Sequence, residues 1–339
     1  MNLGTILGLA MFAAIPAPEP SPFCRDSGPP GARLLVVISD LHFGVGHDDV
    51  SGAVHPFEDF RWADDFTAFL ADIDRRGRGK TTLVLNGDAF ELWQSFAHDC
   101  RPPQKDWSCS ESEALERLER VVTQHSREMT LLRTFAASSD NRLVLVPGNH
   151  DAALLFEKVA ARALTAISAP EGRVCIARKG YWASPDGLVF AEHGHQIGDD
   201  VNAFSGWPEP FGGPAGERRL QKTWGEAFVE DYYNPYELKY PIIDNIAEVG
   251  VGLVYGLSAE GHLGSALALG KLVSFFVMKT SKEQFDQSLS PHAEARWDVT
   301  EARKQTDRLL IEAVPRASPL RGALEDLAAR GELSAVELD

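Results

Sequence analysis

The stretch Arg142-Leu-Val-Leu-Val146 runs directly into Pro147-Gly148-Asn149-His150-Asp151. A short β-branched apolar run that ends at a polar turn reads as a strand handing over to a loop. The same event recurs three times. Leu34-Leu-Val-Val-Ile38 reads as a buried strand ending at Ser39-Asp40-Leu41-His42. Thr81 to Leu85 ends at Asn86-Gly87-Asp88, and Leu188 to Ala191 ends at Glu192-His193-Gly194-His195. Helical segments lie between them. Phe57 to Arg75 sets Phe66, Phe69, Leu70 and Ile73 at helical spacing, and Glu111 to Ala137 reads as one long helix with Leu115, Leu118, Val122, Met129 and Leu132 on its apolar stripe. Ser110 with Glu113 supplies a capping box at its start. Strands alternating with helices predict an α/β chain, and in such sheets ligands sit beyond the carboxyl ends of the strands. Four polar turns far apart in sequence are therefore expected to converge.

Those turns carry metal-ligand chemistry. Asp40 and His42, two residues apart on an extended turn, can reach one cation. Asp88 adds a carboxylate able to bridge two ions, Asn149 an amide oxygen, and His193 another imidazole. Asp, His and Asn together suit borderline divalent ions such as Mn, Fe or Zn. Two such ions roughly 3.5–4 Å apart lower the pKa of a shared water and neutralise charge on phosphoryl oxygens. His150 is the natural general acid for a leaving oxygen. For His195, metal contact, phosphate contact and plain loop residue stand side by side. His47 reads as a solvated loop residue, His125 as structural, and Glu91 and Trp93 as supports of the second turn, with Trp93 lining the pocket.

Taken together, Ser39-Asp-Leu-His-Phe-Gly44, Gly87-Asp-Ala-Phe-Glu-Leu-Trp93, Gly148-Asn-His-Asp151 and Glu192-His-Gly-His195 resemble four consecutive motifs of the calcineurin-like metallophosphoesterases. They run in family order over Leu34 to His195, about half of the chain. The form of the second motif is nearest to the UDP-2,3-diacylglucosamine hydrolase branch, which cleaves a pyrophosphate in lipid A synthesis. The resemblance implies a four-layer αββα sandwich with a mostly helical C-terminal insertion or cap. It implies Asp40, His42 and Asp88 around one ion, Asp88, Asn149 and His193 around the other, and His150 beside the leaving group. It departs from the family twice. His150 stands where that branch usually has Arg, and the fifth motif, Gly-His-x-His, does not occur after His195, where only His262 and His292 remain. Either the chain stops before that motif, or His193-Gly194-His195 is itself the His-x-His pair.

The expected reaction is metal-dependent hydrolysis of a phosphomonoester, phosphodiester or pyrophosphate, on a phosphorylated small-molecule or lipid-linked substrate. The rival reading is a weakly active or inactive relative that binds a phosphorylated ligand or a protein partner. A formal charge of -16 over 339 residues repels polyphosphate backbones, so no nucleic-acid partner is expected. Three regions follow: residues 1–30 as a leader resembling a signal peptide, with apolar Leu3 to Ala17 followed by a Pro-rich stretch; 31–200 as the core; and 201–339 as an aromatic-rich and helical cap or insertion. The compartment stays open between export and cytoplasm. Val249 to Leu257 and Ala266 to Val277 read as core or lid, leaving contact with a membrane surface open. Of four cysteines, Cys100 and Cys109 bracket a short loop and could form a disulfide in an exported chain. The alternative is four unpaired thiols.

Overall fold

The computed structural model describes residues 21–24, 33–94, 100, 106–197, 201–214, 217–240, 322 and 325. At its centre lies a parallel sheet in the order β1-β2-β4-β5, built from β1 (Leu34–Ile38), β2 (Thr81–Asn86), β4 (Arg142–Val146) and β5 (Val174–Ile176). All three pairings are parallel, so the carboxyl ends of these strands share one edge. Residues 22–24 pair in parallel beside β5, with Cys24 N–H donating to the Ile176 carbonyl at 2.8 Å.

One face of the sheet is covered by α1 (Ala63–Gly77), α2 (Glu111–Gln124), α3 (Ser126–Ala137) and α4 (Glu157–Ile167). Phe66, Leu70, Leu118, Leu132, Phe156 and Ile167 are buried in the main core there. Across the other face lies the antiparallel hairpin β6 (Tyr181–Ala183) and β7 (Phe190–Glu192), over a smaller core of Val84, Val144, Val146, Ala177 and Ala191. The fold is thus a mixed α/β sandwich built on a parallel sheet. Among the described residues, this hairpin alone stands for the second sheet of the expected four layers. A third sheet, β3-β9-β8, joins β3 (Trp107–Ser110) to β8 (Phe211–Gly212) and β9 (Arg219–Gln221). Beyond it run α5 (Trp224–Phe228), a π turn and α6 (Asn234–Glu237). The part of the cap described after residue 200 therefore begins with strands. Its remainder, with His262, His292 and the apolar stretches, lies outside the described residues, as does the leader up to residue 20. Among the described residues no helix is long and apolar enough to cross a membrane.

Several expectations are corrected. The segment from Leu188 to Ala191 is not a strand of the parallel sheet: Leu188 is 77 % exposed at the hairpin tip, and only Phe190 to Glu192 pairs. The fourth parallel strand is Val174–Ile176, whose three residues are too few to show a period. β1 is half-buried rather than buried: among the described residues it lies at the edge of the sheet, and Val37 on it is 42 % exposed. The first helix starts at Ala63, with Asp64 and Asp65 in its first turn and Arg75 and Arg76 in its last, each suited to the helix dipole. All four cysteines are paired, Cys100 with Cys109 and Cys24 with Cys175, so the alternative of four unpaired thiols does not hold.

The long helix is kinked at His125 into α2 and α3, although the capping box at Ser110 and Glu113 is present. The buried His125 ring is held at the break. Its Nε2 lies 3.1 Å from Glu58 Oε2 and its Nδ1 3.4 Å from Glu128 Oε2. Glu58 also accepts the backbone N–H groups of Gly46 at 2.6 Å and Phe60 at 2.8 Å. The kink thereby clamps the loop that follows the first polar turn. Burial opposes charge on His125, but the Glu128 and Glu58 hydrogen bonds outweigh it and raise its pKa from 6.5 to about 9. A raised folded-state pKa gives stability that is full below the unfolded value and lost as pH climbs through the folded one. Wild-type stability should therefore fall between pH 6.5 and about 9. Replacing one member of a buried pair costs about 3–5 kcal/mol, so His125→Gln should lower stability at pH 6.5 by that order. It should also remove this titration from urea denaturation measured across the window.

Candidate metal centre

The polar turns at the ends of β1, β2 and β4 and of hairpin strand β7 meet at one place. The first two remain zipped beyond their strands: Asp40 N–H donates to the Gly87 carbonyl at 3.1 Å, His42 N–H to that of Asp88 at 2.9 Å, and Phe43 N–H to that of Ala89 at 3.0 Å. Asp40, His42 and Asp88 all have positive φ, at 56°, 46° and 53°. Non-glycine residues in this region are costly and mark sites where surrounding structure enforces the conformation. Two glycines let the turns touch. A Cβ on Gly87 would lie 2.2 Å from His193 Cγ, and one on Gly148 2.2 Å from Asp88 Oδ1.

Donor atoms of Asp40, His42 and Asp88 lie within 4.8 Å of one another. His42 Nε2 is 3.8 Å from Asp40 Oδ1 and 3.9 Å from Asp88 Oδ2. His193 Nε2 approaches the same oxygen, lying 3.0 Å from Asp88 Oδ2, and is 3.1 Å from Asn149 Oδ1. Asp88 thus sits between two donor sets, one with Asp40 and His42 and one with Asn149 and His193. The mix of carboxylate, imidazole and amide oxygens fits divalent cations. His195 is set apart. Its ring is 5.5 Å from that of His193 and meets Trp207 edge-on at 4.4 Å. Burial and the neighbouring His193 lower its pKa to about 3, so it is a neutral imidazole.

Both imidazole tautomers are fixed from behind. His193 Nδ1–H donates to the Asn86 carbonyl at 2.9 Å, while the Asn86 amide donates to the Glu192 carbonyl at 2.9 Å and ties β2 to β7. The buried Glu91 carboxylate accepts from two rings through one oxygen, from His42 Nδ1–H at 2.9 Å and from His150 Nδ1–H at 2.6 Å. Its other oxygen accepts the N–H groups of Trp93 at 2.7 Å and Gln94 at 3.0 Å. Glu91 therefore stays ionised: burial opposes this, but His150 and His42 together hold its pKa far below the usual range. The Trp93 ring stacks on His150 at 3.9 Å. A narrow cavity beside His150 is lined by Leu92, Trp93, Asn149, Phe204, Leu220 and Glu226.

Two supports had no role in the sequence reading. Asp151, fully buried, accepts the N–H groups of Gly148 at 2.7 Å and Ala89 at 2.8 Å, and so knits the second and third turns together. Its place directly after Gly-Asn-His was the available signal. Asn86 gave none, since a strand-end Asn is common in turns. Glu91 and Trp93 stand beside the second turn as anticipated, and His47 is exposed.

The family profile of the calcineurin-like phosphoesterases matches residues 34–262. The match spans more than half of the chain, which belongs to this family. No curated protein and no solved structure matches it.

Protons would compete with a divalent ion at this site. On His42, burial opposes charge, but hydrogen bonds to Asp40 and Glu91 raise its pKa to about 11; on His193, burial is likewise outweighed by Asp88, giving about 9. A ligating imidazole must give up that proton. Affinity for Mn²⁺ should therefore climb as pH rises toward 9, with proton release visible by calorimetry in buffers of different ionisation heat. Outer partners of ligating histidines typically contribute 10- to 100-fold in affinity, so Glu91→Ala should weaken Mn²⁺ binding by about that factor.

Proposed function

We propose that this calcineurin-like phosphoesterase hydrolyses a phosphomonoester, phosphodiester or pyrophosphate at a dinuclear centre. Asp40, His42 and Asp88 would hold one divalent ion, and Asp88, Asn149 and His193 the other. The observation that carries this reading is the convergence of both donor sets on the single buried carboxylate of Asp88. Manganese, iron or zinc bound there would activate water and neutralise charge on the phosphoryl oxygens.

The chain's own residues supply the rest. Asp88 Oδ1 accepts the His150 backbone N–H at 2.9 Å, which fixes the distance between the bridging carboxylate and the proposed acid. His150 is held by Glu91 through Nδ1, so Nε2 is the atom left to give a proton to the departing oxygen. Burial opposes charge on His150, but Glu91 and Asp88 raise its pKa, which favours the acid form. Stacking on Trp93 keeps its plane fixed.

The Gly87-to-Trp93 motif favours the UDP-2,3-diacylglucosamine hydrolase branch and a lipid-linked pyrophosphate; His150 in place of Arg favours a broader ester range. A second reading, a weakly active relative that binds a phosphorylated ligand, rests on the position of His195. It leaves each proposed ion three protein donors among the described residues.

Hydrolysis of bis-p-nitrophenyl phosphate and p-nitrophenyl phosphate with added Mn²⁺ tests the proposal. Asp88→Ala should fall to background. His150→Asn should lose about 10²–10⁴ in kcat while still binding Mn²⁺. Tight Mn²⁺ binding without turnover of any phosphate ester would favour the binding relative instead.

A further inference from the structure

We infer that this protein is exported and matures by oxidation, and that the Cys24–Cys175 bond then pins residues 22–24 to the sheet beside the layer that carries His193.

Three observations combine. First, none of the four cysteines is a free thiol, and both pairs have Cα atoms at bonding range, 4.9 Å for Cys24–Cys175 and 4.7 Å for Cys100–Cys109. Disulfides persist in oxidising compartments and are rare where thiols are kept reduced. Second, residues 22–24 are part of the folded body. The Ile176 N–H donates to the Pro22 carbonyl at 3.0 Å, Phe23 is 8 % exposed, and the Arg178 guanidinium lies 4.9 Å from its ring centre. So short a strand at a sheet edge frays unless tethered, and the bond closes a loop of 151 residues, where cross-linking removes the most chain entropy. Third, the apolar run Leu3 to Ala17 ends just ahead of Pro22. Removal of a leader N-terminal to Pro22 leaves the whole tether on the mature chain.

The bond also matters to the site. Cys24 and Cys175 pack against the small core of Val144, Ala177 and Ala191 under the β6–β7 hairpin, and β7 ends one residue before His193. Each disulfide forms when two thiols lose two protons and two electrons to an exported dithiol–disulfide oxidant. That oxidant's own disulfide is reduced to two thiols in the exchange.

The test expresses the full chain, with no added leader, in a host with an oxidising periplasm and traps thiols by alkylation at lysis. We expect periplasmic protein beginning at or before Pro22, four cysteines protected until reduction, and a Cys24–Cys175 linked peptide by mass spectrometry. Reductant should lower its melting temperature by roughly 5–15 °C, and the double variant Cys24→Ser, Cys175→Ser should melt low and lose most of that response. Full-length cytosolic chain with all four cysteines alkylated overturns the inference, as does a melting temperature that reductant leaves unchanged. Neither readout involves phosphate hydrolysis, so this inference and the proposed activity fail independently.

Discussion

The carboxylate of Asp88 is almost completely withdrawn from water, and most of the metal face is arranged around that fact. Burying a negative charge costs several kcal/mol unless partners replace its hydration. Burial opposes ionisation of Asp88, but His150, His193 and His42 more than reverse it, so its pKa lies below the ordinary carboxylate range. Those three rings come from three separate turns. Holding them together demands the positive φ angles at Asp40, His42 and Asp88, the missing side chains at Gly87 and Gly148, and the backbone cage around Asp151. Divalent cations would take over the imidazoles' role as counter-charge, which is why the same geometry suits both protons and metal.

Much of this was legible in the sequence because it is local. A β-branched run followed by a polar turn needs no tertiary knowledge, and Leu34–Ile38, Thr81–Asn86 and Arg142–Val146 form three strands of the parallel sheet. The errors arose where distant contacts override local pattern. Leu188 to Ala191 looks like a sheet strand, yet a turn in the hairpin, where Asp186 accepts the Leu188 N–H, lifts its apolar start into solvent. Helical spacing runs unbroken through His125, yet the helix breaks there, and the ring's partner Glu58 lies 67 residues away. Of the site, residue types and order were readable. What was not readable is that one oxygen of Glu91 serves two imidazoles, since 49 residues separate it from His42 and 59 from His150. Cys24–Cys175 was hidden for the same reason.

The region after residue 200 is fastened to the site rather than merely adjacent to it. Gln94, directly after the second motif, donates to Glu237 at 2.5 Å. Arg117 donates to the Leu92 carbonyl at 2.6 Å and pairs with Glu230 at 3.3 Å. Buried charge-assisted hydrogen bonds of this kind are stronger than neutral ones and fix orientation. The helical segment over residues 229–237 therefore shares its anchor points with the residues that support His150 through Trp93 and Glu91.

The two glycines have a consequence for how this centre tolerates change. At positions 87 and 148 any L side chain would collide with a donor group itself, not with a flexible neighbour that can swing away. Even alanine puts its Cβ inside contact distance of His193 or Asp88, so one added methyl group is enough to push a candidate ligand out of place. Mutational loss should therefore concentrate at two residues that carry no functional group of their own.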